Sequence, residues 1–176
     1  MSSRRSAAAG RTSRASTLVS VAVAAVVTAS ASADPAGAAE ARVPGTTTWL
    51  LSYNSGESFC LAHAYFPRSG IGLGFVSDGE ALGVGLVNTG WHLRERSDYD
   101  VGFRFDGKPA TTARFVATDA IAMASELDAA AEAEFRDAAT VEVVADDGRT
   151  IGRLSLSGSA RAIDYVRTCG MIAGGR

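Results

Sequence analysis

The fold is decided by residues 70–87, which read GIGLGFVSDGEALGVGLV. Large apolar side chains alternate with glycine on both sides of Asp78-Gly79, and an Asp-Gly pair between two alternating runs is a strong hairpin signal. A two-residue turn there brings apolar residues opposite one another and glycines opposite glycines. The predicted pairs are Phe75 with Leu82, Leu73 with Val84, Ile71 with Leu86, Gly74 with Gly83 and Gly72 with Gly85. One face of the hairpin is therefore apolar and the other is bare backbone.

The bare glycine face needs a reason, because glycine inside a strand costs stability. Close packing by a helix, or by an aromatic side chain such as Trp49 or Trp91, is one explanation. A shallow groove where a ligand or peptide approaches the backbone is the other. In that case the predicted binding residues are Gly72, Gly74, Gly83, Gly85 and Trp91. The spacing is not a dinucleotide-binding fingerprint, since no helix start follows it.

Alternating residues on either side of this hairpin predict further antiparallel strands. Trp49 to Tyr53 and residues 58–65 predict two of them. Residues 91–105 predict a second hairpin that turns near Ser97 and sets Arg94 opposite Asp100. Residues 112–118 and 120–124 predict two short strands.

The last part of the chain switches to helical spacing. A helix is predicted from an N-cap at Ser125 to about Ala138, followed by a hairpin over 140–156 and a short C-terminal helix. The fold class is therefore α+β: mainly antiparallel β, in sandwich-like hairpins, with two helices near the C-terminus.

Residues 1–33 have the three zones of a secretory signal peptide. Four arginines precede the apolar run Leu18 to Thr28, which is too short for a membrane span of about 20 residues. Ala31-Ser32-Ala33 offers a cleavage site, although cleavage after Ala38 and a twin-arginine interpretation of Arg4-Arg5 stay open. Residues 34–46 are predicted as a flexible leader and 47–176 as a single mature domain, periplasmic or extracellular.

The net charge of the chain bears on the class of partner it can bind. The chain has 17 basic and 19 acidic residues, and loss of the four signal arginines leaves a net charge of −6. That balance argues against nucleic acid or an anionic membrane as a partner. Nothing after the signal is long and apolar enough to predict an integral membrane segment, and the oligomeric state stays open.

The chain has two cysteines, Cys60 and Cys169, which allow one intramolecular disulfide. An exported chain meets an oxidising compartment, which favours that bond. A reactive thiol or a metal ligand is the alternative, but no C-x-x-C pair is present.

Motifs for catalysis are scarce. No G-x-S-x-G segment, metal-binding motif or cofactor fingerprint occurs, so no catalytic, metal or cofactor site is predicted. The two histidines, His63 and His92, are predicted on strands, where either could act as a general base if a serine and a carboxylate converged on it. The Asp98, Asp100 and Asp106 group is the one candidate for paired glycosidase carboxylates, and ion pairing explains it as well.

Three segments together resemble a known family: Phe105-Asp106-Gly107, the helix around Phe135, and the ending Leu154-Ser155-Leu156-Ser157-Gly158-Ser159-Ala160. Their order is similar to that in small exported bacterial proteins of the invasion-associated locus B type. The likeness covers residues 49–170, although that family usually has more cysteines. It implies a mainly β periplasmic or secreted protein without known catalysis, and no functional residue is carried over from it.

These observations favour a small periplasmic or secreted β-rich protein that acts by binding, at the cell envelope or to another protein. The first alternative is a hydrolase that uses His63 or His92 with an acidic partner. The second is a secreted enzyme inhibitor, whose inserting loop would be residues 54–58 or 66–70.

Overall fold

The computed structural model describes residues 40–54 and 58–174, so the predicted signal peptide lies outside the described residues. The first described residue, Glu40, lies within the segment 34–46 that is predicted as a flexible leader. Val43 is fully buried and its backbone N–H donates to the Trp49 carbonyl at 3.0 Å. The Thr46 hydroxyl donates back to the Val43 carbonyl at 2.9 Å. Residues 40–46 therefore belong to the folded domain, because this tight turn lays them along the first strand pair.

The described chain forms ten strands and two helices. The strands are β1 (Glu40–Arg42), β2 (Leu50–Asn54), β3 (Phe59–Phe66), β4 (Ile71–Ser77), β5 (Leu82–Val87), β6 (Asp98–Phe105), β7 (Thr111–Ala117), β8 (Ala122–Glu126), β9 (Thr140–Val144) and β10 (Thr150–Ser155). The helices are α1 (Ala129–Asp137) and α2 (Ser159–Gly174). All strand pairs are antiparallel, in one sheet of order β1-β2-β3-β4-β5-β8-β7-β6-β9-β10. The predicted α+β class is confirmed.

The β4–β5 hairpin has the predicted faces but a register shifted by two residues. Phe75 pairs with Val84 and Gly74 with Gly85. The turn is a four-residue loop over 78–81, since the Asp78 carboxylate accepts hydrogen bonds from two backbone N–H groups within it, at 2.9 and 3.0 Å. A shift of two preserves the side-chain alternation, so the four glycines still share one face, but Gly72 now lies opposite Val87 and Gly83 opposite Val76.

The predicted hairpin over residues 91–105 is wrong. Residues 91–97 form no strand, and β6 lies between β7 and β9. Asp100 accordingly faces Arg114, at 3.5 Å, rather than Arg94. The chain reverses after β6 at Asp106-Gly107, where both residues adopt positive φ angles of 46° and 76°. That turn places β7 beside β6 as its antiparallel partner.

The N-cap of α1 is Asp128 rather than the predicted Ser125. The Asp128 carboxylate accepts the Ala131 N–H at 2.7 Å, as an N-cap side chain does. Ser125 lies in β8 opposite Val84 of β5. The pairing with β5 continues one residue beyond Ser125, to Glu126 opposite Gly83.

The sheet curls around an aromatic core. Phe135 of α1 lies at its centre, with ring centroids 4.9 Å from Phe105, 5.3 Å from Phe103 and 5.5 Å from Phe75. The curl brings β10 back toward the start of β4. A Cβ at Gly152 of β10 would lie 2.8 Å from the Ile71 Cδ1 atom. The concave face thus carries the core, and the opposite face of β3, β4 and β5 is the outer face.

Cys60 of β3 and Cys169 of α2 form the predicted disulfide, with Cα atoms 5.9 Å apart. The bond fastens α2 to the concave side of the sheet. No helix within residues 40–54 and 58–174 has the length and apolar character that a membrane crossing requires.

Candidate binding surface

The glycines of the β4–β5 hairpin meet on the outer face. Gly72, Gly74 and Gly85 line a shallow apolar depression there, bordered by Leu61 and Val87. Val76 completes the border beside Gly83. The bordering side chains form small apolar clusters separate from the main core. The structure therefore brings the four predicted glycines together on one face of the sheet, where all four are buried.

Neighbouring strands explain part of the glycine requirement. A Cβ at Gly83 would lie 2.9 Å from Val76 Cγ1, and one at Gly74 would lie 3.0 Å from Leu61 Cδ1. Both distances are too short for a comfortable contact, so these side chains lean over the glycines. At Gly72 the nearest atom is Val87 Cβ at 3.6 Å, an ordinary contact. The floor of the depression is thus filled beside Gly74 and Gly83 and has room for a methyl group at Gly72.

Neither tryptophan covers the glycines. Trp49 lies in the main core, stacked on Phe75 at 5.2 Å, and its indole N–H donates to the Ser157 carbonyl at 3.0 Å. Trp91 also packs against the main core, away from the outer clusters. Of the predicted binding residues, Trp91 is the one that the structure separates from the rest.

His63 lies at the margin of the glycine surface. Its Cβ is 3.6 Å from the position that a Cβ would take at Gly74. Its Nε2 contacts Glu40 Oε1 of β1 at 3.1 Å, while Nδ1 is buried without a hydrogen-bond partner. Burial lowers the pKa of His63, and the charge and hydrogen bond of Glu40 offset part of that effect.

The His63–Glu40 contact supplies the acidic partner that the hydrolase hypothesis requires, but it supplies no nucleophile. A general base orients one ring nitrogen toward a carboxylate and presents the other to the group it deprotonates. In His63 that other nitrogen is Nδ1, which no described hydroxyl contacts. His92 is exposed in the irregular segment between β5 and β6, not on the predicted strand.

The acidic residues have separate structural roles. Asp106 caps the junction between α1 and β9, since its carboxylate accepts the N–H of Ala139 at 3.0 Å and that of Thr140 at 2.8 Å. These hydrogen bonds hold the pKa of Asp106 below its ordinary value. Asp100 pairs with Arg114. Among the described residues, no three histidine, cysteine or acidic side chains are grouped as a metal site requires.

One close contact had no signal in the sequence beyond the glycines themselves. A Cβ at Gly170 of α2 would lie 2.6 Å from the backbone N of Gly79 and 2.8 Å from the carbonyl of Ser77. The helix therefore touches the β4–β5 loop backbone to backbone, one residue after the disulfide at Cys169.

No family model and no curated protein matches this chain. A solved structure does match: the crystal structure of invasion associated protein B from Bartonella henselae. The superposition has a TM-score of 0.51 and 11% sequence identity, and it covers 70% of this chain and 95% of that one. The chain shares the fold of that protein. The predicted resemblance to the invasion-associated locus B type is confirmed at the level of fold, and it assigns no function to any residue here.

Proposed function

We propose that this protein is exported, to the periplasm or beyond the cell, and acts by binding a protein partner through the outer face of β3–β5. The observation that carries the proposal is the apolar depression formed by Gly72, Gly74 and Gly85. The glycines carry no side chain of their own, and the leucine and valine side chains that border them make this face apolar, as a face that packs against an apolar partner would be.

The sheet topology restricts how such a partner is recognised. β4 is paired with β3 and β5, and β5 with β4 and β8, so neither strand has a free edge. A partner cannot add a strand there and must bind by apolar contact on the face. Main-chain hydrogen bonds therefore contribute little, and the shape of the depression sets the specificity.

Three features support export. The signal-like pattern of residues 1–33 is the first, and a disulfide across the domain, which an oxidising compartment maintains, is the second. The shared fold with invasion associated protein B is the third. None of the described contacts favours the inhibitor hypothesis. Residues 66–70 are a tight turn in which two N–H groups donate to the Phe66 carbonyl, and the 54–58 loop is only partly described.

Site-specific photocrosslinking in the producing cell tests this proposal. A photoreactive phenylalanine analogue replaces Tyr65, which is 60% exposed and paired with Gly72, and in a matched control it replaces Tyr165, which is 40% exposed on α2. We expect a discrete protein adduct from position 65 and none from position 165. Excess wild-type mature domain should abolish that adduct, whereas a Gly72→Leu competitor, with the depression filled, should not.

Two results would overturn the proposal. One is an equal adduct pattern from both positions, and the other is equal competition by the Gly72→Leu domain. Circular dichroism establishes that the competitor is folded. If it is not, Gly72→Ala serves instead, with a weaker but measurable loss of competition.

A further inference from the structure

The outer face of β3 is open to water at one end and closed at the other. Its outward side chains are Phe59, Leu61, His63 and Tyr65, because residues two apart on a strand share a face. Tyr65 is 60% exposed, whereas Leu61 is 3% exposed and Phe59 is 8% exposed. Val76, which pairs with Leu61 from β4, is 9% exposed. The large apolar side chains at the Phe59 end of this face are therefore withdrawn from water.

The two helices do not provide this cover. Both pack on the concave side, where Phe135 of α1 lies in the main core and Cys169 of α2 is bonded to Cys60. Side chains stand roughly perpendicular to a sheet, so neighbouring strands contact their flanks and leave their tips free. Within the part of the chain that the structure describes, no helix or strand lies above Leu61 and Val76. The cover is therefore expected from a segment outside that part.

The chain enters the fold beside the closed end. Glu40, the first residue of β1, pairs with Ser52 of β2, and Ser52 pairs with Leu61. The Glu40 carboxylate contacts His63 Nε2 at 3.1 Å, so its side chain lies on the outer face. Residues before Glu40 therefore leave the sheet in the row next to Leu61, on the side of Phe59.

The segment that precedes Glu40 has the length and composition to cover this end. Predicted cleavage after Ala33 leaves residues 34–39, which read DPAGAA. Six extended residues span about 20 Å, and β4 lies three strands from β1, or about 14 Å at the usual strand spacing. After Asp34 the segment carries only small uncharged residues, which suit a shallow apolar face. Residues 55–57 read SGE and offer no apolar side chain for that position.

We propose that residues 34–39 form a strap that folds back from Glu40 over Leu61 and Val76, and that a protein partner must displace it to occupy the outer face. The role of the strap rests on the binding surface proposed above, but its contact with the sheet needs no partner. Because the side chains of the strap are small, it buries less apolar area than a partner with a large apolar side chain would, so such a partner can displace it.

Methyl NMR of the mature domain with a soluble paramagnetic gadolinium chelate tests the strap. Residues 34–176 are compared with residues 40–176, which retain every described strand and helix. In the longer chain the Leu61 and Val76 methyls should relax as slowly as those of Val84, which is fully buried in the core. In the shorter chain their relaxation should rise toward that of Val116, an outward residue of β7 with 37% exposure. Val84 and Val116 themselves should not change.

Two substitutions in the longer chain separate the contact from the chain length. Ala36→Asp/Ala38→Asp should expose the Leu61 and Val76 methyls as the truncation does, because a carboxylate is costly to bury against apolar side chains. Ala36→Ser/Ala38→Ser is the matched control, with small uncharged side chains, and should keep most of the protection.

Equal relaxation of the Leu61 and Val76 methyls in the two chain lengths would overturn the strap. So would an exported domain whose N-terminus, by mass spectrometry, is Ala39. The competition with a partner has its own test: in the photocrosslinking experiment, residues 40–176 should abolish the adduct from position 65 at a lower concentration than residues 34–176. Equal potency would exclude that competition. If position 65 gives no adduct, the proposed function fails, while the methyl measurement still decides whether the strap forms.

Discussion

The two halves of the domain are fastened by different chemistry. Around β3, β4 and α2 the fasteners are a disulfide, Cys60–Cys169, and a backbone contact between Gly79 and Gly170. Around β6, α1 and β9 the fastener is the Asp106 carboxylate, which accepts hydrogen bonds from two backbone N–H groups and the Thr140 hydroxyl. Reduction of the disulfide, or a larger residue at the Gly79–Gly170 contact, should therefore lower the stability of the domain through the first half. A fall in pH should lower it through the second half.

Removal of the disulfide should have the largest effect. Because the bond closes a loop of 109 residues, the double variant Cys60→Ala/Cys169→Ala should lose about 4 kcal/mol of unfolding free energy. Urea denaturation followed by circular dichroism measures it, and wild-type protein with reductant is the matched comparison. A loss below about 1 kcal/mol would mean that packing alone holds α2 in place.

Crowding of the helix contact should have the next largest effect. Gly170→Ala places a methyl group against the backbone of Gly79 and Ser77, which cannot move aside as a side chain can, so we expect a loss of about 2–3 kcal/mol. Helix propensity alone would favour alanine by about 1 kcal/mol. Thr168→Ala, on the exposed side of α2, is the control and should change stability by less than about 0.5 kcal/mol. If both variants changed the free energy of unfolding equally, the Gly79–Gly170 contact would not contribute to stability.

The glycines on the outer face should separate into two kinds. Gly83→Ala would push on Val76 Cγ1 and approach the Ser125 carbonyl at 3.3 Å, for a loss of about 1–2 kcal/mol. Gly72→Ala has room beside Val87 and should stay within about 0.5 kcal/mol of wild type. Thermal unfolding of the two variants in parallel provides the measurement. A reversed order would contradict the packing described for this face.

The smallest effect is expected at Asp106. Its folded pKa lies below 3.8 because backbone N–H groups donate to the carboxylate. Its contribution is therefore present above about pH 3.8 and is lost as the pH falls through the lower folded value. Asp106→Asn should be slightly less stable than wild type at pH 7, and the two should converge below that range. Denaturation midpoints from pH 7 to pH 2.5 test it, with the exposed Asp98→Asn as the control. Parallel curves across the whole range would exclude the carboxylate as the fastener.

Local patterns predicted the elements better than their partners. Alternation identified both faces of β4 and β5, and helical spacing identified α1 and α2. The register of β4 and β5 was off by two because the Asp78 side chain closes a four-residue loop, which the Asp-Gly pair does not reveal. Residues 91–97 and 111–117 both alternate, so both were candidate partners of β6. The turn at Asp106-Gly107, with its positive φ angles, folds residues 111–117 back onto β6.

The sequence predicted that the four glycines share a face, but it misplaced Trp91. The four glycines share a face because strand alternation places them there, whatever the exact register. Trp91 was misplaced because the strand that should have carried it does not form. The Glu40–His63 contact depends on residues 40–42 returning to the sheet, and the Gly79–Gly170 contact joins residues 91 positions apart in sequence. Pairings of that kind are set by tertiary packing and leave no local pattern.

The position of the two cysteines also affects the order of events in an exported chain. Cys60 belongs to the third strand and Cys169 to the second helix, so in a chain exported unfolded and N-terminus first, as proposed here, Cys60 would reach the oxidising compartment before its partner. Until then its thiol can form a bond only with another molecule, such as an oxidoreductase that later passes the bond on by exchange. Under the export proposed above, the completed disulfide would form only after nearly the whole domain had crossed the membrane, and a mixed disulfide at Cys60 would identify chains halted on the way.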